Sequence, residues 1–207
     1  MQNTSGPMEI SSSEPNNDNN DIDEGLYSRQ LYVMGREAQS RMAKADVFIY
    51  GLNGVGVESA KNIILAGVKS VTLHDDQPTE YVDLSSQFYL NENNLGTPRA
   101  QVTAPKLTEL NPYVPVSVHT GTITPETLSK YAVVLLIGVC YEEQIEISNY
   151  CHINNIAVII ADAAGVYCTV FNDFGSSFTV YDTNGEPSPT SMVASITKSN
   201  PAVVATL

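Results

Sequence analysis

The run GLNGVG at residues 51–56 places glycines at 51, 54 and 56 directly behind the apolar segment DVFIY at 46–50. A glycine-rich turn from strand to helix carries backbone N–H groups close to a phosphate, and the partial positive charge of the helix start favours the anion. The dinucleotide pattern is Gly-x-Gly-x-x-Gly, with an acid about 20 residues later for a ribose hydroxyl. Gly51 and Gly56 fill its first and third places. The second holds Asn53, whose side chain takes the space a pyrophosphate needs, and Gly54 follows one residue too late to replace it. Asp75 or Asp76 stands at the ribose distance. Gly51, Asn53, Gly54, Gly56 and Asp75 therefore read as a degenerate cofactor-binding loop whose glycines serve the turn and the packing. Residual anion binding at the helix start stays open.

Other reactive side chains form no constellation. Cys140, Cys151 and Cys168 are odd in number and widely spaced, which speaks against a disulfide framework and for a reducing compartment. Cys151 adjoins His152, but neighbours on a helix point different ways and no second pair supplies ligands, so no metal site is expected. The three thiols are expected to be buried and structural. His74, His119 and His152 have no catalytic setting.

The loop needs elements to hold it. Residues 46–51 read as a buried parallel strand, 57–66 as a helix capped by Gly67, and 68–74 as a second strand. Strands are expected at 114–118, 132–137 and 156–161. Helices are expected at 98–110, where Pro105 must kink or restart the helix, and at 142–154. Ahead of these, 25–43 suits one or two amphipathic helices broken at Gly35. The β–α–β order implies an α/β fold with a doubly wound, mostly parallel, Rossmann-like sheet over residues 22–176. After residue 161 the texture changes: strands are expected at 165–171 and 177–181, a turn at Asn184–Gly185, and another strand at 191–197. Residues 177–207 read as the start of a small all-β domain, cut within an apolar stretch.

The chain has 207 residues, 43% of them hydrophobic, enough for a globular core. Its formal charge of -13 disfavours nucleic acid as a partner. No apolar run is long enough to span a bilayer, and the start of the sequence reads as carrying no secretory signal. Residues 1–21, rich in Ser, Asn and acidic side chains, are expected to be a disordered acidic tail.

Several motifs in order carry a resemblance. IDEGLYSRQLYV at 22–33, KNIILAGVK at 61–69, DLSSQF at 83–88, ELNPYVP at 109–115, DTNGE at 182–186 and SNP at 199–201 resemble the opening part of the ubiquitin-activating enzymes. The resemblance covers residues 22–207. It implies a pseudo-dimer of two adenylating folds. The second binds ATP, magnesium and the ubiquitin C-terminus, and this chain resembles the first, inactive one, followed by the start of the first catalytic-cysteine half-domain. An active fold of this kind carries Asn-x-x-Arg-Gln-Phe after the ribose acid. Here Ser86 stands in place of that arginine, Arg99 in place of a lysine, and no magnesium-binding aspartate occurs near Ile137 and Gly138. By the same resemblance Arg29 matches the arginine that reaches across to the ATP of the other half. The implied partners are ubiquitin, the active half and ubiquitin-conjugating enzymes, and the implied location is cytoplasm and nucleus.

Two other readings compete. The βαβ unit with Asp75 suits an NAD(P)-dependent oxidoreductase, opposed by Asn53. A non-enzymatic subunit of an activating enzyme for another ubiquitin-like modifier is the other, opposed by the sequence after Asp182.

Overall fold

The computed structural model describes residues 22–180, 185, 192–196 and 203–206. The acidic tail expected at 1–21 and the SNP motif lie outside these residues, as does Asn184 of the expected turn.

The short apolar runs at 47–50 and 133–137 become strands because helices cover both of their faces. β1 (Asp46–Tyr50), β2 (Ser70–His74), β3 (Val116–Val118), β4 (Val133–Ile137), β5 (Ala157–Ala164) and β6 (Tyr167–Asp173) form one sheet in the order β3-β2-β1-β4-β5-β6. All pairings are parallel except that of β5 with β6. This is the Rossmann-like α/β arrangement expected from the sequence. Period-two alternation splits the core between the two faces. Val47, Ile49, Val71, Leu73, Leu135 and Ile137 pack under α2 (Gly54–Ala66) and α3 (Arg99–Thr108). Phe48, Val134, Leu136 and Val158 pack under α4 (Pro125–Leu128) and α5 (Tyr141–Ile153). The chain reverses direction across the sheet between β1 and β4. Ligands of such folds bind in the crevice beyond the carboxyl ends of those strands.

Ahead of the sheet, α1 (Glu24–Met42) is broken at Gly35, which sits at φ 80°, ψ 164°. Both of its segments strap the far end of α2. Asn111 donates to the Tyr27 hydroxyl at 2.9 Å and to Ile64 O at 3.0 Å, and Gln39 donates to Ala66 O at 3.0 Å.

Four expectations need correcting. α2 starts at Gly54, three residues early, because Asn53 caps it. Pro105 lies inside α3 and does not restart it. No strand forms over 177–180, the described part of the segment; just before it the chain bends enough for the Phe174 and Phe178 rings to pack with centroids 4.9 Å apart. Gly175 at φ 82° makes the bend. Lastly, only Cys151 is buried. Cys140 precedes α5 and Cys168 lies on β6, which has a neighbour on one side only, so both are exposed. Burial, aided by Asp173, pushes the Cys151 thiol up to about 11, which keeps it protonated and inert. A separate two-stranded antiparallel sheet pairs β7 (Met192–Ile196) with β8 (Val203–Thr206).

Candidate functional site

The glycine loop sits at the crevice. Gly51 leaves β1 at φ 96°, and a Cβ there would lie 1.9 Å from the backbone oxygen of Ile137 at the end of β4. A Cβ on Gly56 would lie 2.0 Å from Gly51 O. These glycines are required by backbone approach alone, whether or not anything binds. Gly56→Ala should therefore cost about 3 kcal/mol or more, at the upper end for overpacking, because a backbone oxygen cannot rotate away. Urea unfolding of the variant checks this.

The second place of the pattern is the informative one. Asn53 Oδ1 accepts from Val55 N at 3.0 Å and Gly56 N at 3.1 Å. Those are the unpaired donors of the first helical turn, the groups that would bind a phosphate oxygen. Asn53 thus satisfies them internally, as an N-cap.

The expected ribose acid is engaged as well. Asp75, with a side chain only 3% exposed, accepts from Leu52 N at 2.7 Å and Gln77 N at 3.1 Å. Arg99 grips it with two donors, Nε to Oδ2 at 2.8 Å and Nη2 to Oδ1 at 3.2 Å. The third arm, Nη1, donates to Asp83 Oδ1 at 2.9 Å. Burial works against the Arg99 charge, but hydrogen bonds and attraction from Asp75 and Asp83 outweigh it and hold the guanidinium above its ordinary pKa. Asp76 turns outward and accepts from Gly121 N at 3.2 Å.

Ser86 is brought to the loop. A Cβ on Gly54 would lie 2.9 Å from Ser86 Cβ. The uncharged Ser86 side chain therefore borders the start of α2. At the end of β4, Gly138 N donates to Asp162 Oδ1 at 2.8 Å, and Gln144 donates to Oδ2 at 3.2 Å. Asp162 is the carboxylate sequence reasoning missed. It comes from β5, after an apolar run that gave no motif. Among the described residues no group of three or more His, Cys, Asp or Glu side chains is disposed to hold a metal ion. As arranged, these residues do not fit a nucleotide with its magnesium ion: the anion seat is filled by Asn53, and the ribose acid by Arg99.

Arg29 lies apart from all of this. It is exposed on α1 and has no ion pair among the described residues. Tyr27, two positions earlier, faces inward, so Arg29 points away from the body at about 100° per residue. On its face are Leu26, Tyr32 and Val33, at 53%, 92% and 78% exposure.

Residues 27–207 match the ThiF family. The chain belongs to that family. It is 49% identical over 187 residues to ubiquitin-like modifier-activating enzyme 1 of Homo sapiens, covering 90% of this chain and 18% of that protein. It is 52% identical over 180 residues to ubiquitin-activating enzyme E1 1 of Schizosaccharomyces pombe, covering 87% and 18%. The chain thus spans under a fifth of the length of these relatives. Among solved structures, E. coli MccB with succinimide superposes with a TM-score of 0.64 at 20% identity, over 73% of this chain and 49% of that one. That likeness shows a shared fold.

Proposed function

We propose that this chain is the non-catalytic adenylation-type half of a ubiquitin-activating enzyme, and that it holds the active half in shape. The observation that carries the reading is the self-filled nucleotide seat, with Asn53 on the donors of α2 and Arg99 on Asp75, in a chain similar to ubiquitin-activating enzymes. Residues 22–176 would be the adenylation-type unit, and 177–207 the start of the first catalytic-cysteine half-domain. The complete enzyme, working in cytoplasm and nucleus, would use ATP and magnesium bound by the other half to adenylate the ubiquitin C-terminus. Thioester formation and delivery to ubiquitin-conjugating enzymes would follow.

A second observation supports pairing. The face of α1 that carries Arg29 is ringed by exposed apolar side chains, as expected of a helix that docks on a neighbour. On this reading Arg29 is lent to the nucleotide site of the active half. The nicotinamide alternative loses support because Asp75 has both oxygens engaged.

Isothermal titration of the chain with ATP–magnesium and with NAD should give no binding heat, while mixing it with the active half should give a one-to-one complex on size exclusion. Tight NAD binding would return the oxidoreductase reading. Failure to pair with the active half would end the scaffold reading.

A further inference from the structure

Beside the filled seat lies an open cavity of about 620 Å³. It is bounded by the first turns of α2, by Ser86, by Ala163 near the end of β5 and by Gly165 in the turn after it. Where a nucleotide fold would present cationic and N–H donors, this cavity presents a carboxylate, an amide oxygen and two hydroxyls that can accept as well as donate. The α2 donors at Val55 and Gly56 are consumed by Asn53. Arg99 is turned inward onto Asp75 and Asp83. Among the described residues no Lys or Arg lines the space. What lines it instead is the Glu58 carboxylate, the Ser59 and Ser86 hydroxyls, and Asn62, whose Nδ2 is committed to Glu58 O and whose Oδ1 remains as an acceptor. Lys61 pairs with Glu58 along α2 but does not line the cavity, and an exposed pair at that spacing is weak and exchangeable. The lining also includes the small residues Ala163 and Gly165, which leave room for an alkyl stem.

We propose that this cavity is a receptor for a guanidinium side chain presented by a partner polypeptide, with Glu58 as counter-ion. The inference rests on the reading that the chain works beside a second polypeptide unit. It reverses the ligand polarity of the site, from anion to cation. A planar guanidinium has five donors for a carboxylate and neighbouring oxygens, and the acidic chain, at -13, favours a cationic visitor.

The test is a nitrogen-15 NMR titration of the 207-residue chain with Nα-acetyl-arginine N-methylamide, set against its neutral citrulline isostere and inorganic phosphate. Saturable shifts are expected at Gly54, Ser59, Ser86 and Gly165 with the arginine compound alone. Glu58→Gln should weaken that response roughly tenfold, the loss of one charge-assisted contact, and leave distant resonances in place. Ser86→Arg, which sets a cation inside the cavity, should abolish it. Equal shifts with citrulline, shifts with phosphate instead, no saturable shift, or an unchanged Glu58→Gln response would each overturn the proposal. Complex formation with the active half is measured separately, so a chain that pairs normally but ignores the arginine compound refutes this site and leaves the scaffold reading standing.

Discussion

Arg99→Met should destabilise the chain by about 3–5 kcal/mol, the cost of leaving buried carboxylates without their counter-charge. Asp75 and Asp83 are both nearly inaccessible, at 3% and 8% side-chain exposure, and Arg99 supplies three hydrogen bonds to them at once. The lower end of the range is expected, because the guanidinium keeps 19% exposure and water can reach the gap. Arg99→Lys should fall between wild type and Met: an ammonium restores the charge but not the planar fork that joins the two acids. The double variant Asp75→Asn with Arg99→Met should recover part of the loss, since the penalty belongs to the orphaned charge and not to the missing contact. Urea unfolding followed by circular dichroism measures all three. If Arg99→Met unfolds at the same urea concentration as wild type, the triad has no structural role, and the account of the filled nucleotide seat fails with it.

The triad also marks the limit of sequence reading. The βαβ rhythm was legible because runs such as 47–50 and 132–137 are apolar throughout and stop at glycine, the signature of strands covered on both faces. Gly51 and Gly56 were legible because a fixed spacing encodes a fixed backbone approach. Ser86 and Arg99 were legible as departures from a family pattern, but the consequence of Arg99 was not. Its partner Asp75 lies 24 residues away, and only the fold brings the two together. Asn53 was read as an obstruction to phosphate. Its positive role, capping α2 and moving the helix start to Gly54, follows from the preference for Asn at that position, a signal present in the sequence and outweighed by the glycine pattern. The exposure of Cys168 depends on which strand ends at the sheet edge, and local composition carries no record of that.

Arg29→Ala in the complete enzyme should slow ubiquitin-dependent ATP–pyrophosphate exchange by about 100-fold, within the range for removing one preorganised donor at a site of developing charge. The folding of this half should be untouched, because Arg29 is exposed and has no ion pair among the described residues. Its neighbourhood argues for a role outside its own unit. An arginine in open solvent gains nothing from apolar companions, yet Leu26, Tyr32 and Val33 share its helix face and lie bare to water. Burying that face against the active half would desolvate the guanidinium and raise the strength of any contact it makes with phosphate oxygens. Arg29→Lys should rescue exchange only in part, since a point charge replaces a planar fork. Arg36→Ala provides the control: Arg36 sits on the same helix, is exposed, and already pairs with Glu24, so its loss should leave exchange unchanged. If Arg29→Ala exchanges at the wild-type rate while still forming the complex with the active half, the two halves share a scaffold and not a site, and Arg29 is a surface residue of the interface.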